Sequence, residues 1–233
     1  MSAMSHYETM FTRRAVRRYE AEPLPPETLE EILAFVRGTE PLPGQKADFR
    51  LLTPEQMGLK LAPHYLAASC EETNEAYASL GYVIEALDLE LQGRGLGSLW
   101  YGMNLPKDRR PGDAIVLAFG RTSQPARGSE HDFSRLPLTQ ISDTDSAVAR
   151  AVRLAPSAVN SQPWFLHFED RSLTLEYRGR GLLKARLEKK LNKIDLGIAA
   201  RFAVTALERE GKTIEALRPE TDGRKFCLRI DFA

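Results

Sequence analysis

The sequence predicts an α+β fold built from two related halves, residues 1–125 and 126–233, that meet around central helices. Three observations predict it. Ile32 and Val148, Gly81 and Gly197, and Gly95 and Gly211 are all 116 positions apart. At that shift LGYVIEALDLELQGRG faces LGIAARFAVTALEREG and DFRLL faces WFLHF, in one helix–loop–strand order, which argues for two copies of one unit. Finally, residues 194–211 are apolar almost all round (Ile198, Ala199, Ala200, Phe202, Ala203, Val204, Ala206, Leu207), the pattern of a helix buried on every side. Its small residues suit a close approach at the seam between copies.

Residues 1–12 read as an arm that is ordered only if something holds it. TRRAVRRYE follows, with Arg13, Arg14, Arg17 and Arg18 around a short apolar pair. Leu29, Ile32, Leu33 and Val36 form an amphipathic stripe over 27–37, after the breaker PLPP. DFRLLT and HYLAAS read as strands. A second helix, 76–92, carries Leu80, Val83, Ile84, Leu87 and Leu91 on one side. GRGLGS then invites a dinucleotide-loop reading, but it follows a helix instead of joining a strand to one, so helix-stopping glycines account for it better. AIVLAFG at 114–120 is a strand. In the second half a helix starts after Ser142 or Asp143 and places Val148, Ala151, Val152 and Ala155 at helical spacing. KARLEKKLNK, 184–193, reads as a solvated helix face opposite Leu183, Leu187 and Leu191.

Composition narrows the function. The 233 residues are 42% apolar and 27% charged, ordinary for a globular protein with a real core. Lys+Arg and Asp+Glu both total 32, so no net charge calls for nucleic acid or an acidic membrane. The arginine run lacks the interleaved aromatics of a nucleic-acid patch. Cys70 and Cys227 match no metal spacing, and the four histidines show no ligand pattern, which predicts a reduced, cytoplasmic chain without a metal site. No segment has the length of a membrane span or the pattern of a secretory leader.

The most informative stretch is LAPSAVNSQPW, 154–164. Pro156 and Pro163 forbid a continuing helix and favour extended geometry before them. FLHFE then alternates like a half-buried strand. A rigid helix-to-strand loop results, offering small polar side chains and backbone groups to a planar ligand. An ordinary capped turn with Trp164 as a core wedge is the competing reading. Trp100 and Trp164 suit either the core or the flank of a flat ligand.

FTRRAVRRYEAEPLPPETLEEIL resembles the N-terminal signature of the nitroreductase family of flavoproteins, and RLAPSAVNSQPWFLHF resembles its second signature. GLGSLWYGM and SRLPL are weaker matches. The resemblance implies a nitroreductase-like fold in which FMN sits between two units, since family members are homodimers whose sites draw on both subunits. It also implies NAD(P)H as donor, with a small aromatic or quinone-like acceptor reduced in ping-pong fashion. The first half carries the arginine run but has GTEPLPGQKADF where the shift predicts the proline loop. The second half has the loop, while Ser129–Phe133 stands where the run would be. A fused pseudo-dimer with one composite site follows, existing as a single chain or a weak homo-oligomer.

Residue by residue, the resemblance puts Arg13, Arg14, Arg17 and Arg135 on the FMN phosphate, with the backbone N–H of Ala15 where the family has serine. Guanidinium groups bind such oxygens in bidentate fashion. Arg13 and Arg135 are expected at a pocket surface, dispensable for folding. Pro156 and Ala158 would contact the flavin ring, Ser157 and Asn160 would bond its polar edge, and Trp100 would flank it. Backbone near Tyr101 and Gly102 would lie by the reactive nitrogen, and no catalytic side chain is required because the flavin carries the chemistry. A non-catalytic flavin-binding or regulatory module, or a scaffold without flavin, is the alternative.

Overall fold

The computed structural model of the chain describes residues 4–102, 105–179, 185–222 and 225–233, with only the backbone described for 185–189 and Asp222. After helix α1 (His6–Thr12) the first half runs α2 (Pro26–Gly38), β1 (Ala47–Leu52), the single turn α3 (Pro54–Met57), β2 (His64–Cys70), α4 (Asn74–Gly93), β3 (Gly97–Tyr101) and β4 (Asp113–Gly120). The second runs α5 (Ala147–Arg153), β5 (Trp164–Glu169), β6 (Ser172–Tyr177), α6 (Ala185–Arg209), β7 (Ile214–Asp222) and β8 (Lys225–Phe232). Leaving α3 aside, both follow helix, two strands, helix, two strands. The two antiparallel sheets, β1-β2-β4-β3 and β5-β6-β8-β7, have the same order.

The long helices cross where their glycines meet. A Cβ on Gly81 would collide with the Ile194 carbonyl, and one on Gly197 with the Ala78 carbonyl and, at 2.8 Å, the Tyr82 nitrogen. Positions 78 and 194 are themselves 116 apart, so the two contacts exchange under the repeat, the relation a two-fold axis imposes. The helix ends agree. Gly95 (φ 80°) and Gly211 (φ 81°) are left-handed caps, closed by Leu96 N–H to Leu91 O at 2.9 Å and by Lys212 N–H to Leu207 O at 3.0 Å. Ile84, Leu87 and Leu91 of α4 and Ile198, Phe202 and Ala203 of α6 lie at 2% exposure or less, in one core that both halves share.

One expectation is filled in and two change. The N-terminal arm contains α1, started by a Ser5–Glu8 capping box and held by buried Met10 and by Met4 N–H on Gly93 O. Helix α5 is capped by Ser146 rather than Ser142 or Asp143. Those two are drawn off to pair with β5, through Asp143 N–H to Leu166 O and Leu166 N–H to Ile141 O. Residues from Ala185 are the start of α6, and Asn192 and Lys193 are at most 5% exposed, so these two do not lie on a solvated face; Lys184 and the side chains of 185–189 lie outside the described residues. Leu183 lies outside the described residues, as does the side chain of Leu187. Lys193 tolerates burial over the Tyr177 ring, at 3.3 Å, and desolvation brings its pKa down to about 8. Among the described residues no helix is long and apolar enough to cross a membrane, and no group of acids, histidines and cysteines is placed to hold a metal.

Candidate active site

A cleft of about 200 Å³ opens where the N-terminal arginine run, β3, the proline loop and α6 converge. Arg13, Ala15 and Arg17 form its basic end. Leu99, Trp100 and Gly102 come from β3 and the turn after it; Pro156, Ser157, Ala158 and Val159 come from the loop. Leu191, Ile194, Asp195 and Ile198 of α6 close it. Eight residues singled out from sequence therefore share one wall-to-wall space contributed by both halves. The volume falls below the roughly 300–1,000 Å³ of drug-sized sites, so it suits a flat ring system whose polar tail lies at the mouth.

The other four stand apart from the cleft lining. Tyr101 packs with the small cluster around Tyr65 and Val116. Arg14 donates from Nη1 to Pro125 O at 2.7 Å and from its N–H to Gln92 Oε1 at 2.8 Å. Arg135 spans Asn160 Oδ1 and Leu154 O, both at 2.9 Å, while Asn160 Nδ2 donates to Ser134 O at 2.8 Å. These two therefore set the shape of the loop from behind. Burial first, then Arg13, Arg127 and Arg153, bring the Arg135 pKa down to about 9.

Arg13 departs from its expected surface position. It is 3% exposed, with Nε donating to Asp88 Oδ2 at 2.9 Å and lying 3.9 Å from Glu85 Oε1. Asp88 is held in turn by the Ser98 hydroxyl and by Gln92 Nε2 at 3.2 Å, and Gln92 Oε1 takes the Arg14 N–H. The arginine run is thus pinned to α4 by buried polar contacts. Glu85 is completely buried, neither of its oxygens has a hydrogen bond among the described residues, and desolvation with Asp88 nearby pushes its pKa well up. Val16 N–H bonds Ser98 O, and Arg17 and Arg18 N–H groups share Gln124 Oε1; Ala15 N–H has no partner among the described residues.

The loop holds an unusual backbone. Val159, Asn160 and Gln162 have φ of 48°, 57° and 47°. Asparagine tolerates this region, but a β-branched residue does so at a cost. Val159 is also 60% exposed. Relief of about 1 kcal/mol is expected from Val159→Asn, raising the melting temperature by about 2–4 °C; calorimetry checks it, and an unchanged or lower value refutes the strain.

The symmetry-related position carries a second cleft, of about 360 Å³. Glu40–Pro43 take the place of Pro156–Val159, Tyr82 that of Ile198, and Glu215 and Ala216 those of Leu99 and Trp100. Even the loop anchors correspond: Leu42 N–H donates to Ser79 Oγ at 3.1 Å, and Ala158 N–H donates to Asp195 Oδ1 at 3.0 Å. Yet its lining contains Glu40, Glu208 and Glu215 and no arginine, so it repels the anions that the first cleft attracts. Asp195 was missed by the sequence reading. Its signal was a lone acid in the apolar run IDLGIAA, opposite Ser79 in the repeat.

Paired antiparallel sheets around two crossed helices, with a flat cleft at their seam, make this a nitroreductase fold. The crystal structure of a nitroreductase, described as putative, from Thermotoga maritima matches at a TM-score of 0.72 and 21% identity, covering 98% of this chain and 94% of that one. A family model described as "Putative TM nitroreductase" matches residues 5–206, and the chain belongs to that family. A nitroreductase-like family protein from Bacillus cereus matches 60% of this chain and 95% of its own, at 16% identity and a TM-score of 0.48. An FMN-dependent nitroreductase from Clostridium difficile matches 52% of this chain and 91% of its own, at 16% identity and 0.43. No curated protein matches the chain.

Proposed function

We propose that the chain is an FMN-dependent oxidoreductase that takes reducing equivalents from NAD(P)H and passes them to a nitroaromatic, quinone or similar flat acceptor. The observation that carries this reading is the meeting of both family signatures on one cleft: Arg13, Ala15 and Arg17 from one half, Pro156–Val159 from the other. The residues fit the cofactor. Trp100, Pro156, Ile194 and Ile198 give flat apolar walls, Arg13 and Arg17 give cationic donors, and the unpartnered Ala15 N–H gives a backbone donor beside them. Bound FMN supplies the hydride chemistry, so the chain's work is to hold, orient and keep water out. Arg17 is exposed at the mouth and suited to an anionic tail. Arg135 and Asn160 serve by fixing the loop. The two halves, 1–125 and 126–233, are read as fused copies of one unit with a single site retained, which light scattering of a one-chain particle would support.

One observation favours a second reading. Arg13 is already matched by Asp88, and Ala15 offers no hydroxyl, so a weakly binding, non-catalytic flavin module is consistent with the same cleft. The visible spectrum separates them. A yellow protein bleached by NAD(P)H under nitrogen supports the enzyme, flavin binding without bleaching supports the module, and a colourless protein indifferent to added FMN refutes both. Arg17→Ala should weaken FMN binding about tenfold or more, the worth of one charge-assisted hydrogen bond, with an unchanged melting temperature.

A further inference from the structure

The carboxyl of Asp195 does more than its place in the repeat requires. Its counterpart Ser79 anchors the equivalent loop with one hydroxyl, accepting Leu42 N–H at 3.1 Å. Asp195 makes the same anchor with Ala158 N–H shared between its two oxygens, 3.0 Å from Oδ1 and 3.2 Å from Oδ2, and so brings one oxygen more than serine has, and a titratable proton, to a cleft it lines. It is 3% exposed and flanked on α6 by Ile194 and Ile198. Among the described residues only Arg13 and Arg17 of the other charged side chains share the lining; Arg13 is held by Asp88, and neither β3, β4 nor the loop adds a charge there. A carboxylate in such surroundings has only the Ala158 N–H and the Ser161 hydroxyl to favour it and no cation paired to it, whereas the acid form accepts from Ala158 and has a proton to donate into the cleft.

We propose that Asp195, in its acid form, is the positioning residue that donates a hydrogen bond to an acceptor atom on the edge of the flavin ring while its other oxygen holds the loop. The proposal rests on the flavin reading above. Burial brings the Asp195 pKa up to about 8 against the opposing Ala158 N–H and Ser161 hydroxyl. The sign follows: below that pH the donor is present, and above it a carboxylate faces the ring's acceptors.

The test is titration of FMN into the full chain, following flavin fluorescence and the visible band, from about pH 6 to 10. In the wild type the Kd is expected to be flat below about 8 and to rise about tenfold per pH unit above it. Asp195→Asn keeps an acceptor and a donor, so it should bind as the wild type does at low pH, without the rise. Asp195→Ser copies the mate half, keeping a hydroxyl for the anchor but no second polar atom to reach the ring. Its Kd should be weaker about tenfold and independent of pH, with a shifted flavin band. A wild-type Kd that stays flat, a rise that persists in Asp195→Asn, or wild-type affinity in Asp195→Ser overturns the proposal and leaves the flavin reading intact. A wild type that takes up no FMN at any pH overturns both. A flat wild-type profile overturns the proposal even if a variant fails to fold, and a rise is assigned to Asp195 by its loss in Asp195→Asn, because Lys193 loses its charge in the same range.

Discussion

Gly197→Ala is expected to lower the melting temperature by about 4–8 °C. The added Cβ meets backbone, the Ala78 carbonyl and the Tyr82 nitrogen, not the end of a flexible side chain that could swing aside. Helices α4 and α6 must separate, and the separation opens the core both halves share. Overpacking of this kind costs about 3 kcal/mol, well above the roughly 1 kcal/mol gained when alanine replaces glycine in a helix. Gly81→Ala should behave alike, through Ile194. Gly38→Ala is the control, because nothing lies within 4 Å of its Cβ position and its φ is ordinary. Thermal melts of the three decide it. If Gly197→Ala melts with the wild type, the crossing is looser than described.

Arg13→Ala should cost about 3–5 kcal/mol, although Arg13 carries a family signature and a functional role is read into it. Removing the guanidinium leaves Asp88 without its ion-pair partner and Glu85 with only the more distant Arg201 and Arg135 to favour its charge. The loss should depend on pH. A carboxyl whose folded pKa is raised binds its proton more tightly in the native state, so it withdraws stability as pH climbs from the unfolded value towards the folded one. Glu85 is already raised, and losing Arg13 removes a charge that pulls it down. The deficit of the variant should thus shrink near pH 5 and grow towards pH 8. Denaturant melts at both values measure it. A constant deficit would mean that the acids do not respond to the missing charge.

The repeat was legible because backbone constraints leave few substitutes. Glycines at a helix crossing and at left-handed caps recur at one spacing, and the shift found from Gly81, Gly95 and Ile32 also relates contacts that no pattern displays. The proline loop was legible for the same reason. What escaped was pairing. Asp88 and Glu85 sit on an α4 face that reads as amphipathic, and only the fold brings Arg13 to them. Strands β7 and β8 were not anticipated because β7 is an edge rich in charge and interrupted by Pro219, where pairing to β8 overrides weak local preference. The resemblance assigned Arg135 and Asn160 to the ligand, and only the fold shows that they bond each other, Leu154 O and Ser134 O.

The two clefts are lined by different positions of one chain. In an assembly of identical subunits every substitution lands in both pockets at once, and a change good for one is imposed on the other. Here residues 40–43 can be randomised while 156–159 stay as they are. The acidic cleft is thus open to redesign for a second ligand without editing the first.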